Sequence, residues 1–333
     1  MGDSITIYSI AEETGVSAAT VSRVLNNNPH VKKDTREKVL KALNKNGYVP
    51  NDTARNLVTK SSMMIGILVS DIRETQQSNT LYTIEQEFMK YGYSCLIYIT
   101  GMDPKGLKTY TKLLSQKKVD GVILIGSNYQ TDEMKEALSS YFSRIPVIVL
   151  NGKMEGENVY NIYCDVRTGL CQGIDMLIGK GRRCIGLVYA EENPGIKKVG
   201  TGVLDEYCAK HKGNVEFFSY RTNRRPEEIV ECVSDILKEH PEVDGLIFAD
   251  DYLAMGGMRG LADFGKKVPE DVSVMGIGNS RYTRIANPRL TSLDIMLHDC
   301  ALTSVRTMLP ALKGERIPKS ILMQAVLVER EST

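Results

Sequence analysis

The sequence predicts an N-terminal all-α helix-turn-helix headpiece followed by an α/β core of two doubly wound parallel-sheet subdomains. Three observations carry this expectation. Residues 5–47 show short helical apolar periodicities and no strand pattern. From Met63 onward, β-branched apolar runs alternate with helical stretches of 10–17 residues. At 333 residues, the chain is also too long for one ordinary core.

Composition narrows the class. With 42% hydrophobic and 25% charged residues, the chain reads as an ordinary globular protein. No apolar run approaches the roughly 18–20 residues that span a bilayer. The N-terminus lacks the basic-then-apolar order of a signal peptide. A cytoplasmic protein with no membrane partner is expected. The seven cysteines are odd in number, scattered and never in a C-x-x-C pair, so reduced, buried thiols are expected. His30, His211, His240 and His298 are equally dispersed, and neither a metal nor a cofactor is expected. The net charge of +1 hides an asymmetry: residues 1–60 carry +3 and the remainder −2. A basic end is compatible with phosphate contacts.

Taken in order, Thr6 can cap a first helix carrying Ile7, Ile10 and Ala11 on one face. Gly15-Val16-Ser17 makes a turn, and Ser17 caps a second helix with Val21, Val24 and Leu25 inward. A third helix from about Lys33 is expected to bury Val39, Leu40 and Leu43 and to stop at Gly47. Residues 1–50 thus form the headpiece. Residues 51–62 form a hinge, in which Asn51 can cap a helix of about two turns, too short to be stable alone.

The core is expected over residues 63–333. Its clearest strands are Met64–Val69, Cys95–Ile99, Val122–Ile125, Val147–Leu150, Cys184–Tyr189, Leu246–Ala249 and Val272–Ile277. Leu81–Tyr91 and Arg167–Lys180 are typical of the helices between them. About ten strand–helix units make two subdomains, placed at 63–162 with 294–320 and at 163–293 with 321–333. Ligands of such folds bind at the carboxyl ends of the strands.

The run Gly15–Asn27, GVSAATVSRVLNN, suits a helix that enters the major groove of DNA. Ala18 and Ala19 stand at the start of the reading helix, where small apolar groups can touch thymine methyls. Thr20 and Ser22 can bond phosphates, and Arg23 can make a bidentate contact to guanine. Thr6, Ser17 and Asn26 complete the candidate DNA-contacting set.

That run, with Thr35–Asn51 (TREKVLKALNKNGYVPN) and Ala54–Lys60 (ARNLVTK), resembles the LacI/GalR family of bacterial transcriptional regulators. The resemblance continues through Val119–Leu124, Val268–Ile277, Asn287–Asp294 and Val328–Ser332. It implies a core like a periplasmic binding protein, with an effector cleft between the subdomains. It implies a repressor acting as a homodimer on a near-palindromic double-stranded operator, with affinity controlled by a small-molecule effector. It makes Leu57 the hinge side chain that wedges into the minor groove. Ala54, one turn earlier, would let two hinge helices approach.

The effector region departs from the family pattern. An aromatic-rich stretch is replaced by Asp71-Ile72-Arg73-Glu74-Thr75-Gln76-Gln77, and the position of a ligand-gripping arginine falls on Val199. Asp250-Asp251 stands for the usual Asn-Asp, and Gly278 for the aspartate of a G-F-D motif. One of the two aspartates is expected to cap the helix that follows and the other to face the cleft. The expected effector is therefore not an ordinary monosaccharide. Candidate effector residues are Asp71, Gln76, Lys198, Tyr220, Asp250 and Asn279, with Lys197, Arg221 and Arg224 as further cations favouring an anion. An alternative is a degenerate cleft controlled by a protein partner. Enzyme signatures are absent: there is no G-x-G-x-x-G after a strand, no G-x-S-x-G and no phosphate loop.

Overall fold

The computed structural model describes residues 5–25, 28–48, 61–190, 194–211 and 213–333. The chain divides into two compact units, Met1–Ser62 and Met63–Thr333.

In the first unit, α1 (Ile7–Thr14), α2 (Ala18–Leu25) and α3 (Lys33–Lys45) close around a small core. Ile10, Ala11, Val21, Val24, Val39, Ala42 and Leu43 are buried. These positions recur at three- and four-residue intervals, so each helix turns one stripe inward. Leu40 does not join them. It lies about 100° around α3 from Val39 and is 42% exposed, and Ala42 takes its expected place.

Twelve strands are described in the second unit. They are β1 (Met64–Val69), β2 (Ser94–Ile99), β3 (Gly121–Ile125), β4 (Val147–Leu150), β5 (Val159–Asp165), β6 (Cys184–Ala190), β7 (Glu216–Thr222), β8 (Gly245–Phe248), β9 (Ser273–Ile277), β10 (Thr291–Asp294), β11 (Ser320–Gln324) and β12 (Val326–Val328). They form two six-stranded sheets, ordered β11-β5-β4-β3-β1-β2 and β12-β10-β9-β8-β6-β7. All pairs are parallel except β10 with β12. β1, β3 and β4 read as unbroken apolar runs because helices cover both faces. The helices Thr75–Met89 and Leu297–Leu312 pack on one face of the first sheet through Ile84, Phe88, Ala301, Val305 and Met308. Leu107, Leu114, Met134 and Leu138 cover the other.

The subdomain boundary differs from the sequence expectation. Ser320–Gln324 pairs with β5 in the first sheet, so the last crossover falls between Gln324 and Val326 rather than near residue 320. β5 likewise carries the first sheet as far as Asp165. In each sheet the strand order reverses beside its first strand, at β1/β3 and at β6/β8. A crevice opens outside the carboxyl ends of strands at such points.

Candidate functional sites: an exposed recognition face and a bridged cleft

In the headpiece, local chemistry sets the reading helix. Gly15 adopts φ +65°, a left-handed turn that a side chain disfavours, and its N–H bonds the carbonyls of Ala11 and Glu12. Ser17 Oγ then accepts the Thr20 N–H at 3.2 Å, capping α2. With Val21 and Val24 buried, Ala19 and Arg23 are exposed, while Ala18, Thr20 and Ser22 are half-buried beside them. The Arg23 side chain makes no hydrogen bond or ion pair among the described residues. Thr6 caps α1 reciprocally with Ser9: Thr6 Oγ1 accepts the Ser9 N–H at 3.3 Å, and Ser9 Oγ accepts the Thr6 N–H at 2.9 Å. Tyr8, 72% exposed on α1, was not singled out by periodicity, which marks only inward residues. Asn26, Ala54 and Leu57, with the Asn51 cap, lie outside the described residues.

In the second unit a cleft of about 1490 Å³ lies at the carboxyl ends of the strands of both sheets. Residues following β1, β3 and β4 line one wall, and residues following β7, β8 and β9 line the other. The two walls are joined by the chain's own side chains. Arg224 Nη2 lies 2.5 Å from Glu74 Oε2 on the first subdomain. Its Nη1 lies 2.5 Å from Asp250 Oδ2 on the second. The other Asp250 oxygen accepts the Leu253 N–H at 2.9 Å and caps the helix Asp251–Asp263. Gln76 Nε2 donates across the cleft to the Ile277 carbonyl at 3.2 Å. The Thr75 and Tyr282 hydroxyls lie 3.5 Å apart across the same gap. At Gly195 a Cβ would come within 2.5 Å of Ser127 Oγ on the opposite wall.

Several charged side chains of the cleft are engaged by the chain's own groups. Asp71 is held below the usual carboxylate range by its hydrogen bonds from Arg73. Arg167 pairs with Glu206, and Lys153 Nζ sits 4.3 Å above the Tyr163 ring. The expectation that one aspartate caps and the other faces the cleft is refined by the structure. Asp250 both caps and faces the cleft, while Asp251 also belongs to the cleft lining but keeps its carboxylate turned inward, 1% exposed. It accepts the Ser280 N–H and the Ser292 hydroxyl, each at 2.6 Å. Burial pushes its carboxyl above the usual range.

Of the sequence-derived effector residues, Asp71, Gln76 and Asp250 line the cleft. Lys198, Tyr220 and Asn279 do not. Lys198 is exposed outside it, and its neighbour Lys197 lies over the Tyr189 ring at 5.2 Å. Tyr220 sits on the edge strand β7 with its hydroxyl 3.4 Å from Glu239. Asn279 donates to Asp294 at 2.9 Å and accepts from Arg330 at 2.6 Å, tying β9 to the chain's end. Arg221 is exposed on β7, leaving Arg224 as the one member of that cation set in the cleft lining. The inferred loss of aromatic walls is also corrected, because Tyr163, Tyr252 and Tyr282 line the cleft from other loops. Glu74 and these three tyrosines were missed. Their partners come from distant segments, and no local spacing signals them.

The comparisons agree with this architecture. A model described as bacterial regulatory proteins, lacI family, matches residues 6–51, and a periplasmic binding protein-like domain matches residues 174–333. An HTH-type transcriptional regulator of Lachnoclostridium phytofermentans is 29% identical over 330 residues, covering 98% of this chain and 99% of the relative. Catabolite control protein A of Priestia megaterium is 28% identical over 344 residues, covering 99% of each. The lac repressor dimer bound to operator and the anti-inducer ONPF shares the fold with a TM-score of 0.89 at 24% identity, covering 99% of both chains. A LacI-family regulator from Enterococcus faecium with bound ribose matches with a TM-score of 0.69 at 26% identity, over 81% of this chain and 98% of that one. The chain belongs to the LacI/GalR family of bacterial DNA-binding transcriptional regulators.

Proposed function

We propose that this regulator is a cytoplasmic homodimeric repressor of metabolic genes, reading a near-palindromic operator and answering to a small effector in the core cleft. The observation that carries the reading is the outward face of α2, where Ala19 and Arg23 are exposed beside a side-chain-capped N-terminus. Small apolar and guanidinium groups together match thymine methyls and guanine O6/N7. A dimer is supported by an apolar surface on the first subdomain. Tyr82, Met89 and Tyr91 lie on and just after the helix Thr75–Met89, and Ile97 and Ile99 lie on the edge strand β2; all five are exposed. A two-fold partner covers such a patch with its own copy.

The effector favours one arrangement of the two core subdomains and thereby shifts operator affinity by linkage. Arg224 is already committed to two carboxylates, so its fork is not offered to neutral hydroxyls. An effector with an anionic group competes for that guanidinium far better than a plain sugar does. Calorimetry should therefore show no micromolar binding of glucose, galactose or ribose; such binding contradicts this assignment. The DNA reading is tested by selection from random duplexes with effector-free protein at near-physiological salt. A palindrome of roughly 14–18 base pairs is expected for a dimer. Enrichment of an asymmetric site, or of none with any candidate metabolite, contradicts it.

A further inference from the structure

The end of the second sheet opposite the cleft holds four metal-ligating side chains. Cys184 opens β6, Glu216 opens β7, and His240 and Glu242 lie between the helix Pro226–Glu239 and β8. One ligand atom from each falls within 4.8 Å of all the others. They come from three separate segments, joined here because β6 and β7 are parallel neighbours that start together. This is why their spacing in the sequence carried no metal signature.

We propose that Cys184, Glu216, His240 and Glu242 form a zinc site that clamps this end of the subdomain. The donor set of thiolate, imidazole and two carboxylates is one that zinc accepts. Two separations already match a tetrahedral ion. Zinc bond lengths put thiolate and carboxylate ligands about 3.6 Å apart, and imidazole and carboxylate about 3.4 Å apart. Cys184 Sγ lies 3.8 Å from Glu242 Oε1, and His240 Nδ1 lies 3.4 Å from Glu216 Oε1. The imidazole is pre-oriented by stacking on Phe218, with ring centroids 3.7 Å apart and planes within 7°. A fixed ring places its nitrogen before the ion arrives, which lowers the ordering cost of binding.

The electrostatics ask for a cation. Among the described residues neither Glu216 nor Glu242 pairs with a lysine or arginine. The Arg183 guanidinium beside them is turned to the carbonyls of Ile178 and Arg182. A divalent ion placed among these groups offsets the two carboxylate charges and takes the Cys184 sulfur as thiolate, because a coordinating thiol is deprotonated outright.

The test uses the full-length chain, stripped with a chelator and titrated with zinc against a chromophoric competitor, then with cobalt(II). One tight zinc ion per chain is expected, and the cobalt form should show a thiolate charge-transfer band. Cys184→Ser should abolish that band. Glu242→Gln, at an exposed position where folding is not at issue, should weaken zinc by about 100-fold or more, since loss of even an outer-shell partner costs about 10–100-fold. Cys208→Ser, at an exposed cysteine outside the cluster, should change neither reading. Absence of zinc uptake, a cobalt spectrum without the thiolate band, or unchanged affinity in Glu242→Gln overturns the proposal.

Discussion

The Arg224 guanidinium lies 2.5 Å from Glu74 on one wall of the core cleft and 2.5 Å from Asp250 on the other. One side chain therefore fastens the two subdomains to each other, and it does so where an effector must enter. The Asp250 side chain is only 6% exposed, and its oxygens are met by that partner and by the Leu253 N–H. Breaking a buried pair from one side costs more than removing a surface pair, because the remaining charge is left uncompensated.

The first prediction follows from that asymmetry. Arg224→Met should destabilise the chain by about 3 kcal/mol, at the low end for a buried pair because the arginine is partly exposed. Glu74→Gln keeps an acceptor near Arg224 and should cost only about 1 kcal/mol. Urea unfolding of both variants checks the order; equal costs would show that Asp250 does not rely on Arg224.

Gln76 and Gly278 are matched across the cleft. Gly278 adopts φ +122°, and a Cβ there would lie 2.1 Å from Gln76 Nε2. The space a side chain at this position would take is filled by the Gln76 amide from the opposite wall, whose hydrogen bond to the Ile277 carbonyl joins the subdomains. Gly278→Ala should cost about 1–3 kcal/mol through backbone strain and should also displace Gln76. Small-angle scattering of the effector-free variant should show a more open core. A scattering curve identical to the wild type would mean that this contact does not hold the cleft closed.

Asp251 gives a pH signature opposite to that of the paired carboxylates. Burial raises its folded-state pKa above the unfolded value of about 3.9. Between the two values the native state binds more protons than the unfolded state, so its contribution to stability falls as pH rises through that window. Above the folded value the cost is constant. Asp71 and Asp165, both held low by hydrogen bonds, contribute stability that is lost instead as pH falls. Unfolding free energies of wild type and Asp251→Asn, compared over a pH series, should differ increasingly in the variant's favour from about pH 4 upward, then level off. A difference that stays flat across that range would show that Asp251 is not desolvated as described.

What was legible in the sequence follows the physics of each element. β1, β3 and β4 are apolar on both faces, and their runs stand out. β7 (EFFSYRT) and β11 (SILMQ) lie at sheet edges, where polar residues interrupt the run, and neither was among the clearest strands. The misplacement of the last crossover stems from β11. In the headpiece, the Gly15 turn, the Ser17 cap and the inward valines are all local signals and were read directly. The cleft was read less well. Its wall residues meet only through the fold, as Glu74 with Arg224 and Gln76 with Gly278 show. Reading its loops one at a time suggested a loss of aromatic surface, which Tyr163, Tyr252 and Tyr282 supply from elsewhere.

The most direct test of the central claim, that the exposed face of α2 reads operator bases, compares wild type with Arg23→Ala on the selected operator and on a scrambled duplex of equal length. Loss of one bidentate base contact is worth about 1–3 kcal/mol, or about 5- to 150-fold in affinity. That loss should appear on the operator at a guanine-bearing position, while affinity for the scrambled duplex stays nearly unchanged. Equal losses on both duplexes, or none on either, would contradict the assignment of Arg23 to base reading.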